Sequence, residues 1–154
     1  MFPIEMNKMG KILKTIVIIG IVFAIPCILL VPFLLSNNYS VLYSMIIVYP
    51  NGGLMVAIAF QFLKMFDSLE KNNPFTKENV KILQKTGRLS FGMSLLWLMD
   101  LFIMIALIHN TYINYILVLL FLFILFFGVG IALWTLSLLL QQATEYKEEN
   151  DLTI

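Results

Sequence analysis

The sequence predicts an all-α fold: an integral membrane four-helix bundle, with a short cytoplasmic amphipathic helix between the second and third membrane helices. Three observations carry that expectation. The 154 residues are 60% hydrophobic and 12% charged, with a mean hydropathy of +0.93, whereas soluble domains carry roughly 25% charged residues. The apolar residues gather in four runs, each near or beyond the roughly 20 residues that cross a bilayer as a helix. All ten Lys and Arg residues fall on one side of those runs. Lys8, Lys11 and Lys14 precede the first run. Lys64, Lys71, Lys77, Lys81, Lys85 and Arg88 crowd the segment between the second and third, and Lys147 follows the fourth. The segments Ser36–Ser40 and His109–Asn114 carry no charge. Cations left in the cell interior give a multi-pass protein of the cell membrane with both termini cytoplasmic. Membrane lipid is then the main solvent, and the whole chain, 1–154, is one membrane domain.

The first run covers about residues 15–35. A basic start precedes it, as in a secretory signal, but about 21 apolar-dominated residues exceed the roughly 7–15 of a signal core. Ala24-Ile25-Pro26-Cys27 is a poor lipoprotein cleavage site because proline directly precedes the cysteine. The run therefore reads as an uncleaved membrane helix that tolerates Pro26 and Pro32 as kinks. Gly20 and Ala24 form a small-xxx-small pair, a candidate for close helix approach.

The second run covers about residues 41–66 and contains Pro50-Asn51-Gly52-Gly53, a breaker signature in water. It admits a single helix kinked at Pro50, or a helix beginning at Pro50 where proline suits the first turn. The single helix is preferred, because the shorter one spans only about 25 Å against a core of about 30 Å. Gly53 and Ala57 repeat the small-xxx-small spacing.

Residues 67–88 form the one sizeable polar stretch. Asn72-Asn73-Pro74 stops the second helix. Thr76 is placed to cap the next one, with Glu78 favourable in its first turn. Val80, Ile82 and Leu83 give that segment an apolar face, and Lys77, Lys81 and Lys85 a basic stripe. Gly87 is expected to end it before the third run. A helix lying on the inner membrane surface follows. Its lysines read first as topology determinants beside anionic lipid, and second as a docking surface for a cytoplasmic partner.

The third run, about 89–108, contains Asp100. The fourth, about 113–140, is roughly 42 Å long and must tilt or protrude. Gly128 and Gly130 offer a bend or a close approach, and Tyr112, Tyr115 and Trp134 resemble interfacial or packing aromatics. The tail, 141–154, is acidic and is expected to extend the fourth helix into water before fraying.

Asp100 is the sole acid inside a run. It lies about 18 Å from the cytoplasmic end of its helix, where an aspartate costs about 2.5–3.5 kcal/mol to insert. It must face protein or a hydrated cavity, with Met93, Leu96, Trp97, Ile103 and Met104 on its side. Pro26, Cys27 and Gly130 lie at a similar depth, so a carbonyl freed by proline is one expected partner for an uncharged Asp100. Two roles follow: an interhelical hydrogen bond that fixes packing, or a proton or cation site in a small transporter or channel-like protein. The remaining polar groups in the runs, Asn51, Gln61, Ser90, Ser94, Thr135 and Ser137, look scattered rather than aligned along a path.

No enzyme is expected. There is no phosphate-binding glycine loop, no nucleophile beside a base and no metal-binding helix motif. His109 is the one histidine and reads as a solvated loop residue, and Cys27 is the one cysteine. No cofactor and no metal are therefore expected. A net charge of +1 argues against direct contact with nucleic acid.

Two stretches carry a family resemblance. One runs from Phe66 through Asn72-Asn73-Pro74-Phe75-Thr76, with Asn79 and Leu83, to Gly87. The other is the terminal Glu149-Asn150-Asp151-Leu152-Thr153-Ile154. Together they resemble the Domain of Unknown Function family DUF2975, small four-helix bacterial membrane proteins. That family has a Pro-Phe, a short helix with a Leu, a Gly before the third membrane helix, and an acidic end closing in Asp-Leu-Thr-Ile. The resemblance implies no known chemistry. Members are often encoded beside a small helix-turn-helix regulator, which implies a cytoplasmic protein partner such as a transcription regulator. The docking residues it implies are Pro74, Phe75, Asn79, Leu83, Gly87, Asp151, Leu152, Thr153 and Ile154. A tail ending in a free carboxylate is a physically sensible handle for such recognition.

Overall fold

The computed structural model describes residues 2–34, 41–107 and 113–152. They form four helices: α1 (Phe2–Leu34), α2 (Val41–Glu70), α3 (Lys77–Leu107) and α4 (Ile113–Leu152). All four are long and apolar enough to cross a bilayer, which suggests a multi-pass membrane protein. Each helix is longer than its apolar run. α1 begins before Lys8, and α4 continues about three turns past Leu140. Hydropathy marks the part of a helix that lipid would solvate, not where its backbone stops.

α2 is one helix through Pro50. Proline deprives the carbonyl one turn back of its N–H. At the next carbonyl, Ile47, the Asn51 side chain adds a donor, its Nδ2 standing 2.9 Å from the Ile47 oxygen. The other end of α2 closes by a Schellman motif. Asn73 N–H donates to the Ser68 carbonyl and Asn72 N–H to the Leu69 carbonyl, each at 3.0 Å. Asn72 takes the left-handed conformation that this cap requires, with φ of 55°. Pro74 follows at once. Thr76 then caps α3, its Oγ1 accepting from Asn79 N–H at 3.2 Å.

The expected separate amphipathic helix is not formed. Residues 77–88 are the first three turns of α3, which continues through Gly87 to Leu107. Gly87 does not end a helix; it admits one. A Cβ placed there would sit 3.3 Å from the Gly130 carbonyl oxygen of α4. The apolar face of this segment, Val80, Ile82 and Leu83, is buried in protein.

The expected four-helix bundle takes the form of an open row. α1 packs on α2, α2 on α3 and α3 on α4, and among the described residues no other pair of helices comes close. The helices thus stand in an open row with alternating direction. Lipid permits this, because apolar side chains gain little by leaving lipid for protein. Ile16, Phe23, Leu30, Phe121 and Ile124 accordingly point outward. The buried apolar side chains are few and belong mainly to α3: Val80, Ile82, Leu83, Met93, Leu101 and Met104, with Leu133 from α4.

Candidate docking surface and intramembrane polar pair

The alternating row gathers the charged residues at one end. Lys14 of α1 pairs with Asp67 and, at 3.5 Å, with Glu70 of α2. Lys77, opening α3, pairs with Glu148 near the end of α4 at 2.7 Å. Lys147 Nζ reaches Asn73 Oδ1 at 3.5 Å. The turn between α2 and α3 therefore lies against the last turns of α4.

A groove of about 570 Å³ separates them, lined by Phe75 on one side and by Ala143, Tyr146, Lys147 and Asn150 on the other. Phe75 is 45% exposed and Tyr146 69%. Of the residues expected to dock a partner, Phe75 stands on this surface. Pro74 is half-buried and its carbonyl accepts from Asn79 Nδ2 at 2.8 Å. Asn79, Leu83 and Gly87 are buried, and they build the platform rather than face a visitor. Asp151 and Leu152 continue the backbone of α4, while Thr153 and Ile154 lie outside the described residues, as does His109. The α4 side of the groove is not among the docking residues read from the sequence, although the tail is expected to extend the fourth helix and α4 does continue to Leu152. Its signal was present: Ala143, Tyr146, Lys147 and Asn150 recur at helical spacing on one face.

Within the apolar layer, Asp100 of α3 is 6% exposed and Asn51 of α2 5%. Asn51 Nδ2 donates to Asp100 Oδ2 at 2.7 Å. The expected partner, a carbonyl freed by a proline of α1, is ruled out by the row: α1 does not approach α3. In the sequence Asn51 stands among polar groups that look scattered, within the breaker signature Pro50-Asn51-Gly52-Gly53. Counting about 22 Å from the end of the second run puts it at nearly the depth of Asp100, and that count was the missed signal. The other polar groups of the layer do not extend the pair. Ser90, Ser94, Thr135 and Ser137 each donate to a carbonyl of their own helix, three or four residues back. The same bond is made by Thr86 and Thr144. No group of three or more His, Cys, Asp or Glu side chains among the described residues could hold a metal ion.

Four long apolar helices in a row, with a Pro-Phe turn between α2 and α3 and an extended last helix, define the architecture and suggest a multi-pass membrane protein. The model of the family described as "Protein of unknown function (DUF2975)" matches residues 34–154, and the chain belongs to that family. No curated protein and no solved structure matches it.

Proposed function

We propose that the chain is a non-enzymatic protein of the cell membrane, both termini cytoplasmic, whose charged end docks a cytoplasmic protein. The family resemblance favours a helix-turn-helix transcription regulator as that partner. One observation carries the reading: Phe75 and Tyr146 stand exposed across a single groove beyond the apolar runs. Tyr146 lies about 9 Å past Leu140 along the helix axis, so lipid tails do not account for its exposure. Exposed aromatics flanking a groove are the kind of anchor that dominates protein–protein affinity. The cations support the orientation, since all ten belong to helix ends or the turn at this side.

The test is co-purification of the tagged full chain from its native membrane, compared with a Phe75→Ser/Tyr146→Ser variant and with truncation of the last four residues. A specific protein should be lost with the double variant and retained with the lipid-facing control Phe121→Ala. An unchanged set of bound proteins would refute the reading. So would labelling of Lys77 by a membrane-impermeant reagent applied to intact cells.

A further inference from the structure

We infer that Asn51 and Asp100 form a proton-binding site: Asp100 carries a proton on Oδ1 and donates it to Asn51 Oδ1, making a reciprocal acid–amide pair across the α2–α3 contact. The argument rests on hydrogen-bond accounting. The Asn51 Nδ2 group is engaged twice, 2.9 Å from the Ile47 carbonyl and 2.7 Å from Asp100 Oδ2. Both partners are oxygens, so the amide cannot be turned over without setting oxygen against oxygen. Asn51 Oδ1 is then left buried with no donor, and a buried acceptor without a partner destabilises the folded state. A carboxylate cannot fill it, being acceptor only; a carboxylic acid brings one O–H. The proton that removes the charge from the apolar layer is the same proton that the amide lacks.

No countercharge competes for that role. Residues 41–63, 89–107 and 113–144, which supply the apolar stretches of α2, α3 and α4, contain no Lys, Arg, His, Asp or Glu except Asp100. The other titratable groups there are the tyrosines Tyr43, Tyr49 and Tyr115. Tyr49 of α2 lines a cavity on the α1 side, and Tyr115 lies in the first turn of α4. Trp97, one turn before Asp100 on the same helix, has a buried Nε1–H with no acceptor. A water joining Trp97 to Asn51 is therefore the rival arrangement, and it would leave Asp100 a carboxylate.

Infrared spectroscopy of the full chain in liposomes separates the two, with aspartate labelled by carbon-13 at the side-chain carboxyl. The chain has three aspartates, Asp67, Asp100 and Asp151. At neutral pH a protonated-carboxyl band should appear, shift with the label, and disappear in Asp100→Asn. It should move to higher frequency in Asn51→Ala as its hydrogen bond is lost. Should Asp100→Asn fail to fold, the Asp67→Asn/Asp151→Asn variant leaves Asp100 as the sole aspartate, and the labelled band must persist. Carboxylate bands alone in that variant at neutral pH overturn the proposal. The result is independent of any docked partner.

Discussion

The α3–α4 hairpin and the α1–α2 hairpin are built from similar lengths of apolar helix, yet they pack by different means. Along α3, Thr86, Gly87, Ser90 and Ser94 are small and buried, and Gly87 lies against Gly130 and Leu133 of α4. Gly130 of α4 admits the Phe91 ring, which also stands edge-on to Phe127 at 5.5 Å. Arg88 lies over the Trp134 ring at 5.7 Å. On α1, among its described side chains, only Gly10 and Pro32 are buried. Between those two points the seam with α2 leaves apolar cavities of about 360 and 400 Å³. A third of the apolar window of α3 is buried (33%) against 17% for α2, while the two outer helices of the row, α1 and α4, are alike at 11%. Where lipid replaces water, dispersion at short range holds helices together. Small residues permit that range, at Gly87 and Gly130 in the α3–α4 hairpin and at Gly10 and Gly52 in the α1–α2 hairpin. The family match begins at residue 34, where α1 ends, so the loosely held helix is also the one outside the matched region.

The sharpest way to break this comparison is to fill one glycine in each hairpin. At Gly87 a Cβ already lies 3.3 Å from a backbone oxygen that cannot swing away. Gly87→Leu should cost about 2–3 kcal/mol, as overpacking does, read as a lowered unfolding midpoint in detergent. At Gly20 nothing lies within 4 Å. Gly20→Ala should be neutral or stabilise by up to about 1 kcal/mol through helix propensity. Equal losses at the two sites would mean that the hairpins are packed alike.

That contrast also shows what the chain made legible. Apolar run length and charge placed four helices, because a run long enough to cross lipid has few alternatives. The small-xxx-small spacing pointed to Gly20 with Ala24 and Gly53 with Ala57, yet nothing lies within 4 Å of a Cβ at Gly20 or Gly53. The close contacts are at Gly10 against the Glu70 backbone, Gly52 against Ile28, and Gly87 against Gly130. A spacing rule says where a neighbour would fit, not which face the neighbour takes. Gly87 was misread as a terminator for a related reason: a glycine ends helices in water, while between membrane helices its missing side chain is a contact. Asp100 was visible as a problem to be solved. Its partner was not, because pairing α2 with α3 requires knowing that the helices form a row.

A smaller effect tests the cap that sets the groove. Thr76 accepts from Asn79 N–H, and Asn79 in turn holds the Pro74 carbonyl. Thr76→Ala should lower stability by about 1 kcal/mol, the usual cost of a lost N-cap. Thr76→Ser should restore most of it. Thr76→Ala should also release Phe75, seen as faster amide exchange over the turn between α2 and α3 with α1 unaffected.

The smallest effect concerns the ion pair that ties this turn to α4. Lys77 and Glu148 meet at 2.7 Å, but their side chains are 70% and 50% exposed. Water and salt screen a pair so open, and fixing two long side chains costs entropy. Lys77→Ala should therefore change stability by less than about 1 kcal/mol, and the difference from the parent should fade in high salt. Melting curves at low and high ionic strength would decide it. A large loss that persists in salt would show that charge, rather than the buried flank from Asn79 to Ser94, holds the α3–α4 hairpin together. The comparison with the α1–α2 hairpin would then have to be redrawn, because that seam is also closed at its charged end by a lysine, Lys14, set against two carboxylates.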